Sequence, residues 1–332
     1  MTLQYLNNLR GIAILLIIFS HSLTVIPRDM QDITSNILYA LVNNVTILFV
    51  VLAGYFFLMM ADNFHYGRYL KNKFFTVILP YILMSIPAIM IYMLGLKGSH
   101  NWIDLESFQR DHNIITQYLF FMVTGAHLGP LWFIPVIIIN YILSPLYLWL
   151  ARHNFLTLIF IASIVPAVIW GRSELNDNIL QSFIFFLPAY LLGMVLFQKQ
   201  SILEVKPNQA LAVFIAYLIG LIILAVAMPA IPSSYSLIIK LAMSFLVLSF
   251  GMKYLSFKNV FLDICARLSF FLFFIHGYFA GFLRPVYGRF LSDVPDFIVM
   301  IGCFTFILIA SFTAFFFAKI ILKQKSKFII GA

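Results

Sequence analysis

The sequence predicts an all-α integral membrane protein with about ten transmembrane helices and both termini in the cytoplasm. Hydrophobic residues make up 63% of the 332 residues and charged residues only 10%, with a mean hydropathy of +1.00. Soluble domains usually carry about 25% charged residues, so this chain has too few to cover a water-facing surface. We therefore expect a single polytopic domain over residues 1–332, built from helices that cross a membrane.

Apolar segments alternate with short polar connections along the whole chain. A helix that crosses a bilayer needs about 20 mostly apolar residues. The segments that we expect to cross are 10–26, 38–60, 74–96, 131–150, 155–170, 179–197, 209–228, 233–251, 262–282 and 297–320. A further apolar segment, 114–124, is too short to cross, and we expect an interfacial or re-entrant piece before Trp132.

The basic residues predict the orientation of these spans. With ten spans, 14 of the 21 Lys and Arg residues fall on the side of the termini and 6 on the other, while Lys240 lies inside a span. Cytoplasmic loops carry the excess of basic residues, which places both termini in the cytoplasm. Because these residues are scattered between apolar spans, they predict contact with membrane lipid and no nucleic-acid partner.

The two cysteines, Cys265 and Cys303, stand in apolar surroundings without CxxC or CxxH spacing. We expect them to be small buried hydrophobic residues, and no metal site is predicted. The N-terminal segment has no A-x-A-like cleavage site, so we interpret it as a retained first helix rather than a signal peptide.

The first span, LRGIAILLIIFSH, carries two ionisable residues, Arg10 and His21. Eleven helical residues return to nearly the same face, ~16 Å further along the axis. Arginine binds phosphate through a fork of donors, and imidazole accepts a hydroxyl proton near neutral pH. Alternatively, Arg10 anchors the helix at lipid headgroups and His21 is an interfacial histidine. The residues alone leave both interpretations open.

Six segments resemble, in the same order, landmarks of the membrane acyltransferase-3 family, whose signature is an arginine, ten residues and a histidine. The resemblance covers about residues 5–320. The segments are LRGIAILLIIFSH (9–21), ILFVVLAGYFF (47–57), RYLKNKFFTVILPY (68–81), HLGPLWFIPVIIINYILSPL (127–146), FFLPAYLLGMVLF (185–197) and RLSFFLFFIHGY (267–278).

The chain departs from the family pattern at several positions. Ala53 replaces a common serine, Asn7 and Asn8 stand where an acid often precedes the LR pair, and Lys71 and Lys73 replace frequent arginines. Lysine is a poorer bidentate ligand of phosphate than arginine. These departures leave the contacts to the donor open.

The resemblance implies an O-acetyltransferase of the short, stand-alone type without an appended hydrolase-like domain. Family members move an acyl group, usually acetyl, from cytoplasmic acyl-CoA to a hydroxyl of a cell-surface glycan or its lipid-linked precursor. We therefore expect acetyl-CoA as the donor co-substrate, a glycan or lipid-linked sugar as the acceptor, and a multi-pass location in the plasma (inner) membrane.

The same resemblance suggests roles for individual residues. His21 is the expected general base, and Arg10 the expected group that orients the donor. The candidates for CoA binding are Arg10, Arg68, Lys71 and Lys73, and those for substrate binding are Trp132, His276, His127 and Lys240. For the last three residues, a hydrogen bond between helices, an aromatic-belt position and an outward-reaching lysine, respectively, are the structural alternatives.

Two other classes of function compete with acyl transfer. A transporter or flippase of a lipid-linked sugar would also need many helices and buried charges, and its activity would survive loss of His21. A structural membrane protein would tolerate Arg10→Ala and His21→Ala together. Within the enzyme class, transfer of another acyl group such as succinyl is a further alternative.

Overall fold

The structure, a computed structural model, describes residues 4–100, 102–173, 177–204, 206–228, 230–323 and 326. These residues form helices and loops, and no β-strand occurs among them. The predicted all-α class is therefore confirmed. The α-helices, in chain order, are α1 (Gln4–Leu23), α2 (Ile33–Val42), α3 (Thr46–Met59), α4 (Tyr66–Lys73), α5 (Leu79–Met93), α6 (Leu105–Asp111), α7 (Ile114–Thr124), α8 (Phe133–Ile142), α9 (Ser144–Arg152), α10 (Leu156–Trp170), α11 (Ile179–Gln198), α12 (Pro207–Ala227), α13 (Ser233–Tyr254), α14 (Val260–Arg267), α15 (Ser269–Val286) and α16 (Asp296–Leu322).

The part of the chain that the structure describes has eight helical segments long and apolar enough to cross a membrane, or nine if one bent pair counts as a span. The sequence predicted ten. The predicted span 131–150 is not one helix, because the chain breaks at Leu143 and α9 begins with Ser144 and Pro145. Proline lacks the amide donor that would continue the preceding helix and suits a first turn. The predicted span 155–170 is α10, a shorter apolar helix of 15 residues.

Helix α7 does not cross as a straight helix, as the sequence predicted for 114–124. It meets the following helical segment, Gly129–Ile142, at 75°. Gly125 ends α7 with a φ of +69°, and a Cβ there would clash with the backbone of Trp132. Only glycine fits such a left-handed and crowded position. The bend places His127 and Trp132 inside the protein.

Helices α3 and α11 pack so closely that their backbones are in contact. A Cβ at Gly54 would clash with the Tyr190 carbonyl, and one at Gly193 would clash with the Val51 carbonyl. Small residues allow this close packing between apolar helices, where the hydrophobic effect gives little drive to association. This contact stabilises one wall of a cavity that Arg10 also lines.

Helix α1 lies in the middle of the helix bundle, in contact with α3, α13, α14, α15 and α16. Gly11 lets it approach the Leu262 backbone of α14. Asn8 is fully buried, and its Nδ2 donates to the carbonyls of Leu255 and Phe257 at 2.7 and 2.8 Å. These contacts fix the rotation of α1, and with it the directions in which Arg10 and His21 lie.

Candidate active site at the two ends of α1

Arg10 lines a cavity of about 400 Å³, which we call the Arg10 chamber. Its Nε–H donates to the Oγ of Ser269 at 2.9 Å. Ser269 is fully buried in the first turn of α15, so this bond holds the arginine against that helix. The bond uses one of the five N–H donors of the guanidinium. The geometry therefore suits an arginine that is held in place and still binds an anion.

Lys73 lines the Arg10 chamber together with Tyr69 and Tyr141. Its Nζ lies 5.0 Å from the centre of the Tyr141 ring and 5.4 Å from that of Tyr69. Such cation–π contacts orient an ammonium group without neutralising it. No Asp or Glu of the described ranges lines the chamber, and the other lining residues are Asn7, Phe49, Leu52, Ala53, Phe56, Phe57, Met59, Met60, Phe64, Asn72, Tyr190 and Phe270.

The other two predicted CoA ligands lie outside this chamber. Arg68 and Lys71 are exposed on α4, and Lys71 lines a separate groove beside Phe74 and Ile142. The structure therefore brings Lys73 to Arg10 but places the remaining basic residues of α4 at the surface. At the surface, Arg68 and Lys71 can attract an anion that approaches the protein, but they cannot contact one inside the Arg10 chamber.

His21 contacts His276, which lies one helix away on α15. Their ring centres are 5.0 Å apart, with an angle of 52° between the planes. The Nδ1 of His276 lies 2.9 Å from the Leu272 carbonyl, which only accepts, so this nitrogen carries the proton. The Nε2 of His276 is then a buried acceptor, and it has no hydrogen-bond partner among the described residues.

Helices α1 and α15 run side by side in the same direction. Ser269 meets Arg10 at one end, and His276 meets His21 at the other. The S-x-x-x-F-x-x-H pattern of α15 thus supplies a partner to each ionisable residue of α1. The sequence alone did not show this pairing, because the two helices are about 250 residues apart in the chain.

His21 lines a second cavity of about 200 Å³, which we call the His21 chamber. Two predicted substrate ligands, His127 and Trp132, line it as well, while His276 borders it through His21. Three ionisable residues of this wall, Lys97, His100 and Arg284, were not among the residues predicted from the sequence. No Asp or Glu lines this chamber in the part of the chain that the structure describes.

His127 is buried in the bend between α7 and α8, with 3% of its surface exposed. Its Nδ1 lies 3.0 Å from the Phe121 carbonyl and therefore carries the proton. Its Nε2 is a buried acceptor without a partner among the described residues. A buried polar atom of this kind calls for a ligand or a water.

Trp132 contacts an arginine and an aromatic ring that also contact each other. The guanidinium of Arg172 lies 4.7 Å from the Trp132 ring centre and 5.7 Å from that of Phe186, and the two rings are 5.0 Å apart. Arg172 also donates to the side chain of Asn44. Burial lowers the pKa of Arg172 to about 10, which leaves it protonated at neutral pH. A guanidinium thus lies against the indole that lines the His21 chamber.

His100 lies in the loop before α6 and is held by backbone groups on both ring nitrogens. Its Nε2 lies 2.9 Å from the Ala126 carbonyl, and its Nδ1 accepts from the amides of Trp102 and Ile103. Burial lowers the pKa of His100 and the charge of Lys97 lowers it further, while the bond to Ala126 opposes this shift. We therefore expect a neutral imidazole at pH 7.

Lys240 is buried but belongs to neither chamber. Its Nζ donates to the carbonyls of Ala40 and Leu41 at 2.9 and 2.7 Å. These carbonyls stand at the C-terminal end of α2, where the span breaks before α3 and the helix dipole favours a cation. The structure thus gives Lys240 helix-end partners and no opening toward the candidate active site.

Aromatic side chains separate the two chambers, which share no lining residue. Phe49 lines the Arg10 chamber and packs against Phe133, 6.1 Å between ring centres. Phe133 packs against Phe273 at 5.5 Å, and Phe273 against His276 at 5.8 Å. We call Phe133 and Phe273 the aromatic partition. Its ring contacts form a continuous row from the wall of the Arg10 chamber to His276.

Metal-ligand clusters are not found in the described ranges, where no group of three or more His, Cys, Asp or Glu residues could hold an ion. The cysteines Cys265 and Cys303 are buried and free. The chambers are therefore best described by their cations, imidazoles and aromatic rings.

Comparison with models of known protein families identifies the family to which the chain belongs. The model of a family described as an acyltransferase domain, of the acyltransferase-3 type, matches residues 3–317. Comparisons with curated proteins and with solved structures give no match. Because the match covers nearly the whole chain, the protein belongs to the acyltransferase-3 family, and it is a multi-pass membrane acyltransferase.

Proposed function

We propose that this protein transfers an acetyl group from cytoplasmic acetyl-CoA to a hydroxyl of a cell-surface glycan or its lipid-linked precursor, at the plasma (inner) membrane. One observation carries the proposal. A single helix, α1, presents Arg10 to one chamber and His21 to another, with the aromatic partition between them. An anion-binding end and a proton-accepting end are what transfer from a polyanionic thioester to a hydroxyl requires.

The Arg10 chamber is the proposed donor site. CoA carries several phosphate charges, and this chamber has Arg10 and Lys73 with no lining acid among the described residues. Its aromatic wall, which includes Phe57, Phe64 and Tyr69, suits the stacking of an adenine ring. The pantetheine arm would extend along α1 toward His21, ~16 Å away, after the aromatic partition turns aside.

The chemistry is placed at His21. In direct transfer, the imidazole takes the acceptor's hydroxyl proton as that oxygen attacks the thioester carbonyl carbon. The C–S bond then breaks, and the CoA thiolate leaves and receives the proton from the imidazolium. In the covalent alternative, a ring nitrogen of His21 attacks the thioester carbon, the C–S bond breaks and CoA leaves as the thiolate. The acceptor hydroxyl then attacks the acetyl-imidazole, the C–N bond breaks, and the hydroxyl proton passes to the thiolate. Both routes give the same products.

Two neighbours would assist His21. His276 carries its proton on Nδ1, so its Nε2 can accept an N–H of His21 after a small rotation of that ring. This bond would leave the other nitrogen of His21 free to act as the base. Trp132 Nε1–H is the proposed donor to the thioester oxyanion. The Ser20 hydroxyl donates to the Ile17 carbonyl instead.

The test uses labelled acetyl-CoA and inverted membrane vesicles, with native protein and His21→Ala at matched expression. His153→Ala is the matched control, because this exposed histidine at the end of α9 lines neither chamber. We expect label in lipid-linked or polymeric glycan with native protein and with the control, and none with His21→Ala. Equal labelling in all three would remove His21 from the chemistry.

A measurement of sugar movement across the same vesicles, made beside the labelling, separates the competing functions. Sugar movement that continues with His21→Ala while no label is transferred in any sample would favour a transporter or flippase. Labelled succinyl-CoA in a parallel reaction tests the acyl group. We expect transfer from the acetyl donor to exceed that from the succinyl donor.

A further inference from the structure

The His21 chamber carries an excess of positive charge that acetyl transfer to a neutral sugar does not require. Lys97 and Arg284 line it, and among the described residues no Asp or Glu does. A general base needs no such surroundings, so the cations call for a separate explanation.

The two lining cations are not neutralised by the described residues. Lys97 Nζ donates to the Tyr92 hydroxyl at 2.6 Å and lies 4.7 Å from the centre of that ring. Arg284 donates to the Thr24 hydroxyl at 3.2 Å. Both partners are neutral, and neither cation forms an ion pair in the part of the chain that the structure describes. Each cation is thus oriented and still available to an anion.

The acidic residues of the neighbouring segments that are named below lie outside the His21 chamber. Asp104 caps α6 through Ser107, and Asp111 pairs with Arg110. Asp32 and Asp296 line a different cavity, of about 630 Å³. The excess of positive charge is therefore confined to the His21 chamber and does not extend over this whole end of the protein.

The same chamber offers groups that recognise a sugar hydroxyl. The buried Nε2 of His127 is an acceptor without a partner among the described residues. Trp132 and Tyr92 supply aromatic surface in the same wall. Cations, a hydroxyl acceptor and aromatic rings around one cavity form a site for a sugar that also bears a negative charge.

We infer that the acceptor is an anionic sugar, whose carboxylate or phosphate is held by Lys97 and Arg284 while a nearby hydroxyl faces His21. The inference rests on the proposed function and narrows its substrate class. Lys97 and Arg284 are exposed. A neutral glycan is the poorer ligand, because it offers these two cations no charge-assisted hydrogen bond. Carboxylate and phosphate share this chemistry, and the test separates them.

The experiment measures binding without CoA, by calorimetry on the full-length protein in phosphatidylcholine nanodiscs. The probes are glucuronic acid, glucose 1-phosphate and glucose. We expect at least one anionic sugar to bind about tenfold or more tightly than glucose, as a charge-assisted contact predicts. Tighter binding of glucuronic acid points to a carboxylate, and tighter binding of glucose 1-phosphate to a phosphate. Equal affinities for all three probes, or no binding of any, would overturn the inference.

Variants test whether the named cations are responsible. Lys97→Gln and Arg284→Gln should each weaken the anionic probe about tenfold and leave glucose unchanged. Arg289→Gln is the matched control, because this exposed arginine follows α15 and lines neither chamber. Anion binding that survives both chamber variants would contradict the assignment, and so would an equal loss in the control.

A final arm separates the sugar from membrane lipid. The titration is repeated in nanodiscs that contain phosphatidylglycerol. We expect the affinity for the anionic sugar to change less than twofold. If the anionic lipid abolishes sugar binding, the cations serve lipid headgroups and the inference is overturned. Because no assay contains CoA, these results do not depend on whether acetyl transfer is found.

Discussion

The two chambers share a positive charge and, among the described residues, the absence of a lining acid, but they differ in nearly everything else. The Arg10 chamber is larger and its wall is mostly apolar and aromatic, with Arg10 and Lys73 as its cations. The His21 chamber is half that volume, and imidazoles, indoles and hydroxyls surround its cations. A wide aromatic cavity suits a large donor, and a small polar one suits the reacting hydroxyl. The difference is what the proposed division of labour along α1, with the donor at Arg10 and the acceptor at His21, requires.

Among the substitutions that test this comparison, the largest effect on the use of acetyl-CoA is expected from Arg10→Gln. The substitution removes the charge that would hold a CoA phosphate, so kcat/KM for acetyl-CoA should fall about 100-fold, or ~2.7 kcal/mol. The KM for the acceptor should stay unchanged, because Arg10 lies outside the His21 chamber. Steady-state kinetics with each substrate varied measures both values. The control is Arg152→Gln, an exposed arginine at the end of α9, and a rise in acceptor KM with Arg10→Gln would break the division.

Lys73→Gln should give a smaller effect on the same side. A lysine is a point charge without the bidentate fork of arginine, so we expect KM for acetyl-CoA to rise about tenfold. Lys71→Gln, two residues away and exposed outside the chamber, should change it less than twofold. Equal effects of the two variants would show that α4 acts only through its surface charge.

Phe273→Leu tests the aromatic partition. The smaller side chain leaves space beside His276, so water should reach the thioester more easily. We expect acceptor-independent hydrolysis of acetyl-CoA to rise about threefold, measured as free CoA released. Phe315→Leu, at a buried ring that packs against Phe271, is the control. Unchanged hydrolysis in Phe273→Leu would mean that this ring does not separate the chambers.

The smallest expected effect is on the pH dependence of stability, and it concerns His100 in the loop that lines the His21 chamber. The pKa of His100 is lowered in the folded protein, mainly by burial, so below about pH 6.5 the unfolded chain binds more protons than the folded one. Stability should therefore fall as pH falls from about 6.5 through the lowered pKa. The native Tm should drop more between pH 7.5 and 5.5 than that of His100→Asn. His112→Asn, at an exposed histidine of the same region, should keep the native slope.

Sequence patterns predicted the helices well where one helix forms one span. The predicted spans 179–197 and 233–251 correspond to α11 and α13 almost residue for residue. These patterns were less accurate where an apolar run is divided between two helices, as at Leu143 between α8 and α9 and at Leu268 between α14 and α15. Hydropathy measures preference for an apolar environment and carries no information on the direction of the backbone.

The candidate site was predicted in part for a similar reason. Arg10 and His21 share one helix, so their spacing alone gave their relation. Lys97, His100 and Arg284 reach the His21 chamber through the tertiary path of a loop and a helix end, which no local period encodes. Lys240 illustrates the reverse case, because a lysine inside a span suggested a ligand site and the structure gives it two helix carbonyls.

The most direct test of the division of labour is the equilibrium binding of labelled CoA to purified native, Arg10→Gln and His21→Ala proteins. We predict that His21→Ala binds CoA within about twofold of the native Kd, and that Arg10→Gln binds it at least about tenfold more weakly. A tenfold loss of CoA binding in His21→Ala, or native binding in Arg10→Gln, would contradict the account, because the donor would not then be held at the Arg10 end of α1.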